Sequence, residues 1–443
     1  MKKIRRVGVI LLAVLALAVI AGIFYSRAVV QPQQSERSLQ DLEESEAPFN
    51  LEELEEEAEK IRGLNFKRPV EHKTMNSEEL QSYLLETAFN ESNMEDISRT
   101  EKVFVALHVW NESKSLGDSM VGSYTEGVAG FYDTDKKFFY EVIGGTEPIF
   151  WRKVTCIHEL THALQHQHFP EVFELMEANE TNDDEALAFL TLIEGDATFM
   201  TQAYLMNKMG GLTEEERSEL MNYAMGRIQE GPQLDPLIEK IMNFPYFQGL
   251  DFVFNLYLRE DLQGINNAFL NPPTTTEQVM HPEKYLEGEI GRKVSLPSKP
   301  IRNQAGWRVI DENVFGEAMI YLVLSYHLSE EEARSSAEGW NGDRYAYYEN
   351  ESDYLLISKQ RWDSREDALE FYNSWYNFTE AWSSNQHLKP IDAPLHKLGL
   401  FPPRNEQSLK VGDTYVFFKR VRDETIVIET GNFDILKKAK RKI

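Results

Sequence analysis

The stretch Arg152–His168 (RKVTCIHELTHALQHQH) constrains this chain more than any other. Its apolar residues recur with helical spacing, and Ile157, Leu160, Ala163 and Leu164 would bury much of the helix surface. His158 and His162 stand four apart, so their side chains project from one face, about 40° from each other around the axis. Glu159 is rotated by about 100° from His158 and sits beside that face. Two imidazoles and a carboxylate in a buried helix lose hydration that something must replace. A divalent metal replaces it, since imidazoles at this spacing bind one zinc ion at about 2.0–2.1 Å. Any fold for the chain must cover this helix and bring it a further ligand. Cys156 falls about 200° from His158, on the other side, as a packed thiol. It is the one cysteine, so no intramolecular disulfide forms.

Two residues compete to be the third ligand. Glu194 lies in ALAFLTLIEGDATFMTQAYL, within a helix predicted over Asp183–Met209 and stopped by Gly210-Gly211. A carboxylate among apolar residues is costly unless paired, and an antiparallel return of the chain would bring it to the histidines. Gly195 would let the two helices approach closely, and Asp196 would orient a ligand histidine. The alternative is His168, six residues after His162 as in the HExxHxxGxxH pattern. That pattern turns sharply at a glycine, where this chain has Gln165, which pays a steric cost for left-handed dihedrals. Glu194 is therefore preferred. Three protein ligands and one open position make a catalytic zinc site. Glu159 would take a proton from water whose pKa the metal lowers to about 7. The expectation is a Zn2+ cofactor, Glu159 as the catalytic base, and a peptide or protein substrate. Tyr246, His281 and Tyr285 are candidate donors to an oxyanion, and Arg344 suits a core ion pair.

With HELTH at 158–162 and EGDA at 194–197, the chain resembles the zincin metallopeptidases, specifically the glutamate-ligand branch, the gluzincins. The run HELTHALQ…HF with EGDA, HPEKY at 281–285 and GWNGDRY at 339–345 is also similar to an uncharacterised prokaryotic group of metallopeptidase-like proteins. The resemblance implies an α+β fold with the active-site helix below a small sheet. It also implies substrate pairing along the preceding strand, for which GVAGFYD is the matching segment. One departure stands out: the usual pattern is Glu-x-x-x-Asp, whereas Asp196 follows Glu194 at two residues.

The N-terminus carries Lys2, Lys3, Arg5 and Arg6 before an uncharged apolar run, Val7–Tyr25. As a helix it would span roughly 28 Å, close to a bilayer core. The basic tip predicts a single-pass transmembrane anchor with a cytoplasmic N-terminus and an extracytoplasmic body. The alternative is a cleaved signal peptide with secretion, cut after Ala21 or Ala28. A formal net charge of −27 repels nucleic acid, so no nucleic-acid partner is expected.

The fold class expected is thus α+β and zincin-like, mostly helical with a small sheet beside the active-site helix, preceded by one transmembrane helix. The segments expected are an anchor at 1–25 and an acidic stalk at 26–65, partly helical near Leu51–Ile61 with a solvated charged face. A metallopeptidase domain at 66–300 and a C-terminal α+β region at 301–443, possible as part of the same domain, follow. A short hairpin is predicted at Val128–Tyr132 and Phe138–Ile143, and a second one near the C-terminus turns at Arg422–Glu424. A reading of another class stays open: a non-catalytic, membrane-attached scaffold with a zinc-stabilised fold.

Overall fold

The computed structural model describes residues 11–12, 49–144, 147–178, 182–230, 234–296, 306–383, 389–390 and 405–443. In chain order the first elements are β1 (Leu11–Leu12), α1 (Leu51–Arg62), β2 (Glu71–Met75), α2 (Ser77–Thr87), α3 (Glu91–Ala106), α4 (Leu116–Gly127), β3 (Gly130–Asp133) and β4 (Phe138–Val142). Then come α5 (Ile149–His168), α6 (Pro170–Ala178), α7 (Asp183–Met209), α8 (Glu214–Glu230), α9 (Pro236–Leu270), α10 (Thr276–Met280) and α11 (Pro282–Glu287). The rest are β5 (Arg308–Asn313), α12 (Gly316–Leu324), α13 (Glu330–Ala337), β6 (Trp340–Glu349), β7 (Tyr354–Trp362), α14 (Arg365–Trp382), β8 (Lys389–Pro390), β9 (Glu406–Val411), β10 (Thr414–Val421), β11 (Glu424–Thr430) and α15 (Phe433–Lys440). The chain forms two compact units. One gathers Met1–Asn93, Asp118–Glu177 and Phe189–Pro272, the other Met94–Gly117, Ala178–Ala188 and Pro273–Ile443.

The first unit holds the HELTH helix, α5. Its local signals are those of the sequence: Asn76 and Glu79 close a capping box on α2, and Thr213 and Glu216 bond reciprocally at the start of α8. The sheet runs β1-β3-β4-β2, with β3 antiparallel to β4 and β2 parallel to it. Asp133 makes the β3–β4 turn, its Oδ1 accepting the N–H groups of Asp135 and Lys136 at 2.8 Å. The apolar face of α5 (Val154, Ile157, Leu160, Ala163, Leu164) packs with Leu54 and Ala58 of α1 and Tyr204 and Leu205 of α7. Cys156 is in this core, fully buried, and burial pushes its thiol well up. The acidic helix α1 keeps most of its charges in water but buries Leu54, Ala58 and Arg62. It is a packed element, more than a solvated stalk.

The second unit corrects the expected fold class. The chain is not mostly helical with one small sheet: a second sheet, in the order β5-β6-β7-β11-β10-β9-β8, has six strands of six to ten residues and a two-residue seventh. Every pairing in it is antiparallel. The reason is alternation. On one face Ala346, Tyr348, Leu355, Ile357, Phe417 and Ile428 pack with Ile435, Leu436 and Ala439 of α15. The strands of the C-terminal hairpin were visible in sequence, but pairing between strands as distant as β7 and β11 is a tertiary property. The expected C-terminal hairpin is present, turning through Arg422 at φ 57°.

The transmembrane helix also fails. Among the described residues no helix is long and apolar enough to cross a membrane. Of Val7–Tyr25, only Leu11–Leu12 is described, and it is a strand antiparallel to Phe131–Tyr132; the rest of that run, the cleavage sites near Ala21 and Ala28, and residues 26–48 lie outside the described residues. An unbroken apolar run has no period, so hydropathy alone does not separate helix from strand. The single-pass topology rested on that helix and is withdrawn with it.

The second unit also stores a pH dependence. Asp343 of the GWNGDRY segment accepts hydrogen bonds from the N–H groups of Phe315 and Gly316 and from the Trp340 indole. Burial outweighs these bonds and pushes its carboxyl up to about 6. Asp184, held by the N–H and hydroxyl of Thr276, is pushed well up by burial too. Both carboxyls bind their proton more tightly folded than unfolded. The Asp343 contribution is complete below about pH 4 and is lost as pH rises through about 6, and that of Asp184 is lost in the same direction. Of the seven tryptophans only Trp151 lies in the first unit, so tryptophan fluorescence follows the second. Its melting midpoint is expected to fall between pH 5 and pH 7.5, with a shallower slope in Asp343→Asn; an equal slope in the two proteins counts against this account.

Candidate metal centre

On α5, His158, Glu159 and His162 are wholly buried, as is Gln165 one turn on. Glu194 of α7 is 1% exposed and faces them. Its Oε2 lies 3.2 Å from His158 Nε2 and 3.4 Å from His162 Nε2, and the ligand atoms of all three residues lie within 4.8 Å of one another. The two imidazoles stand edge to face, with centroids 4.7 Å apart.

The far nitrogen of each ring is spoken for. The Thr201 hydroxyl donates to the Ala197 carbonyl and so accepts from His158 Nδ1 at 3.3 Å. His162 Nδ1 donates to Gln165 Oε1 at 2.9 Å. The Gln165 amide is itself oriented, because its Nε2 donates to the Ile193 carbonyl and to Asp196 Oδ2, each at 2.9 Å. These bonds leave both Nε2 lone pairs aimed at one point.

Asp196 thus reaches a histidine, but through Gln165. Its Oδ2 also accepts from Arg62 Nε at 2.9 Å, and Arg62 Nη1 donates to Asn266 Oδ1 at 2.8 Å. Arg62 is fully buried at the end of α1. Sequence reasoning missed Gln165, Thr201 and Arg62. The i, i+3 spacing of His162 and Gln165 was a usable signal; nothing local links Arg62 to the helix it braces.

The charges are tightly coupled. Burial lowers the His158 imidazole, with the Glu194 hydrogen bond opposing. Burial acts on His162 in the same sense, but the Glu194 carboxylate charge 3.4 Å away reverses it and lifts the ring to about 9. Glu194 would be raised by burial, yet the His162 charge and the His158 hydrogen bond hold it at about 2. Glu159 is pushed up to about 8 by burial, against the pull of His162 and of the Tyr132 N–H. Tyr124 on α4 feels the site as well: burial first and the Glu194 charge second raise its hydroxyl to about 12.

At the histidine pair, His162 Nε2 and Glu159 Oε1 are buried with no hydrogen-bond partner among the described residues, as are Asp196 Oδ1 and Arg62 Nη2 behind them. Glu159 Oε2 accepts the Tyr132 N–H of β3 at 2.7 Å. In a tetrahedral zinc site, ligand atoms about 2.0–2.2 Å from the metal are separated by roughly 3.3–3.5 Å. The Nε2–Oε2 distances match that spacing, so the donor set fits a zinc ion.

His168 does not join the cluster. Its Nε2 donates to the Asn65 carbonyl at 2.8 Å, and α5 continues unbroken through Gln165. Among the oxyanion candidates, Tyr246 is buried with its ring 6.1 Å from that of His158. His281 and Tyr285 belong to the second unit, where His281 Nε2 lies 2.7 Å from Glu317. Arg344 pairs with Glu312 at 3.5 Å. Gly195 permits a close approach, but of α9 and not of α5: a Cβ there would lie 2.3 Å from the Gly249 carbonyl atoms.

Residues 305–395 match a family described as a domain of unknown function, DUF8575. Comparison with curated proteins finds no match, and comparison with solved structures finds none. The matched segment lies in the second unit and contains none of His158, Glu159, His162 and Glu194.

Proposed function

We propose that this chain is a zinc-dependent peptidase in which His158, His162 and Glu194 hold the metal and Glu159 is the general base. The observation that carries the reading is the convergence of two imidazole Nε2 atoms on one Glu194 oxygen at 3.2 and 3.4 Å, with both Nδ1 atoms already committed. Two imidazoles and a carboxylate suit zinc better than they suit magnesium or calcium, which favour all-oxygen sites. When bound, zinc supplies Lewis acidity towards a water and a substrate carbonyl. Everything else falls to the chain. Glu159 Oε1, buried and free of partners, is the atom to receive the proton and return it to the leaving amine. Its other oxygen is fixed by the Tyr132 N–H, which sets the carboxylate plane. A purely structural metal site has no use for a buried carboxylate with one oxygen unsatisfied. The outer edge of β3 already pairs antiparallel with Leu11–Leu12, so it has the register to take an extended peptide.

Metal analysis of dialysed variants tests the ligand set. Glu194→Ala is expected to lose zinc and His168→Ala to keep it. Gln165→Ala should fall between them, with affinity down by about 10–100-fold. Retention of zinc by Glu194→Ala, with loss from His168→Ala, would reverse the assignment.

A further inference from the structure

Beside the metal ligands, the first unit carries a basic cluster that neither zinc binding nor proton transfer uses. His166 is one turn beyond His162 on α5, and its Nδ1 lies 3.2 Å from the Tyr132 hydroxyl. The Arg68 charge acts on that hydroxyl too, opposing the rise that burial gives it. With the Tyr132 O–H donating to Nδ1, His166 keeps its Nε2–H as a donor. Burial first, then the charges of Lys137 and Arg68, hold the His166 imidazole down at about 4, with Asp135 opposing.

The cluster is built. Gln167 Oε1 accepts the N–H groups of Lys67 and Arg68 at 2.7 and 3.1 Å, and Gln167 Nε2 donates to the Arg68 carbonyl at 3.1 Å. The Arg68 backbone is thereby clamped to the helix that carries the histidines. Lys137 closes the β3–β4 turn at φ 65°, its N–H donating to the Asp133 carbonyl at 2.7 Å. Arg68 and Lys137 are exposed, and among the described residues neither has an ion-pair partner. Their backbones are fixed while both charged ends stay free of ion pairs.

We infer that Arg68, Lys137 and His166 form an anion subsite at the end of the β3 edge, selecting peptides with an acidic side chain N-terminal to the scissile bond. The inference rests on the peptidase reading above. The direction follows from pairing: Leu11 faces Tyr132 and Leu12 faces Phe131, so a peptide in that antiparallel register runs its N-terminal residues towards Asp133 and the Lys137 turn. The long-range field of the acidic chain repels such a peptide, but it is screened beyond about 8 Å at physiological salt. Local charge-assisted contacts therefore decide selectivity.

The test uses the full chain bearing Glu159→Gln and fluorescein-labelled decapeptides in which Glu or Gln is stepped through each position. Fluorescence anisotropy is expected to show about tenfold tighter binding of Glu over Gln at one position, weakened by salt. The preference should vanish in the added Arg68→Gln/Lys137→Gln pair and pass to Lys in Arg68→Glu/Lys137→Glu. Equal binding of the Glu and Gln peptides, or a preference that survives Arg68→Gln/Lys137→Gln, overturns the subsite. Cleavage of the same peptides by the unmodified chain reports separately. Cleavage without acidic preference removes the subsite and leaves the peptidase, whereas acidic binding without any cleavage removes the peptidase.

Discussion

Glu159→Gln is expected to abolish peptide hydrolysis while zinc stays bound. The substitution keeps the side-chain shape and an oxygen for the Tyr132 N–H, now 2.7 Å from Glu159 Oε2. It removes only the capacity to accept and return a proton, a loss of about 10²–10⁴ in kcat for a general base. The three proposed ligands are untouched, so zinc content by elemental analysis should match the unmodified chain. Stability should not fall either. Burial, with the Glu194 charge adding to it, disfavours the Glu159 carboxylate enough to push it up to about 8, and a neutral amide carries no such cost. Three readouts together decide the matter: kcat/KM on a peptide library, bound zinc and melting temperature. Hydrolysis within a factor of about ten of the unmodified rate would remove Glu159 from the role of base.

The sequence carried the site further than the architecture. HExxH at 158–162 states its own geometry, because helical spacing fixes which residues share a face. Glu194 was legible as a carboxylate placed where only a partner makes it tolerable. Its neighbours were harder to read. Asp196 was expected to touch a histidine directly, yet its Oδ2 bonds the Gln165 amide and the Arg62 guanidinium. Arg62 is 134 residues from Asp196 in sequence, and a lone arginine at the end of an acidic helix looks solvated until the packing is known. The large sheet escaped for a similar reason. Alternation identifies a strand, whereas strand order depends on which distant faces bury one another. The apolar N-terminal run misled in the opposite way, since it has composition without a period.

Gly249→Ala is expected to unfold much of the first unit and to release zinc with it. A Cβ at Gly249 would lie 2.2 Å from the Thr191 carbonyl oxygen, 2.7 Å from Gly195 Cα and 2.9 Å from Gly195 N. All three are backbone atoms, so no side chain can swing aside, and α9 must move off α7. Overpacking of this kind costs typically about 1–3 kcal/mol, and more where only backbone can yield. The contact lies one residue from Glu194. A displacement of α7 large enough to admit the methyl would shift the carboxylate from its 3.2 and 3.4 Å positions against the imidazoles. Ligand geometry tolerates only a few tenths of an ångström. Gly122 on α4 provides the control, since nothing lies within 4 Å of a Cβ built there. Gly122→Ala should be neutral or stabilising by about 0.5–1 kcal/mol, from helix propensity alone. Far-ultraviolet circular dichroism on heating, with zinc content measured on the same samples, separates the two. If Gly249→Ala melts with Gly122→Ala and keeps its zinc, the close crossing of α7 and α9 does not hold the metal ligands in place.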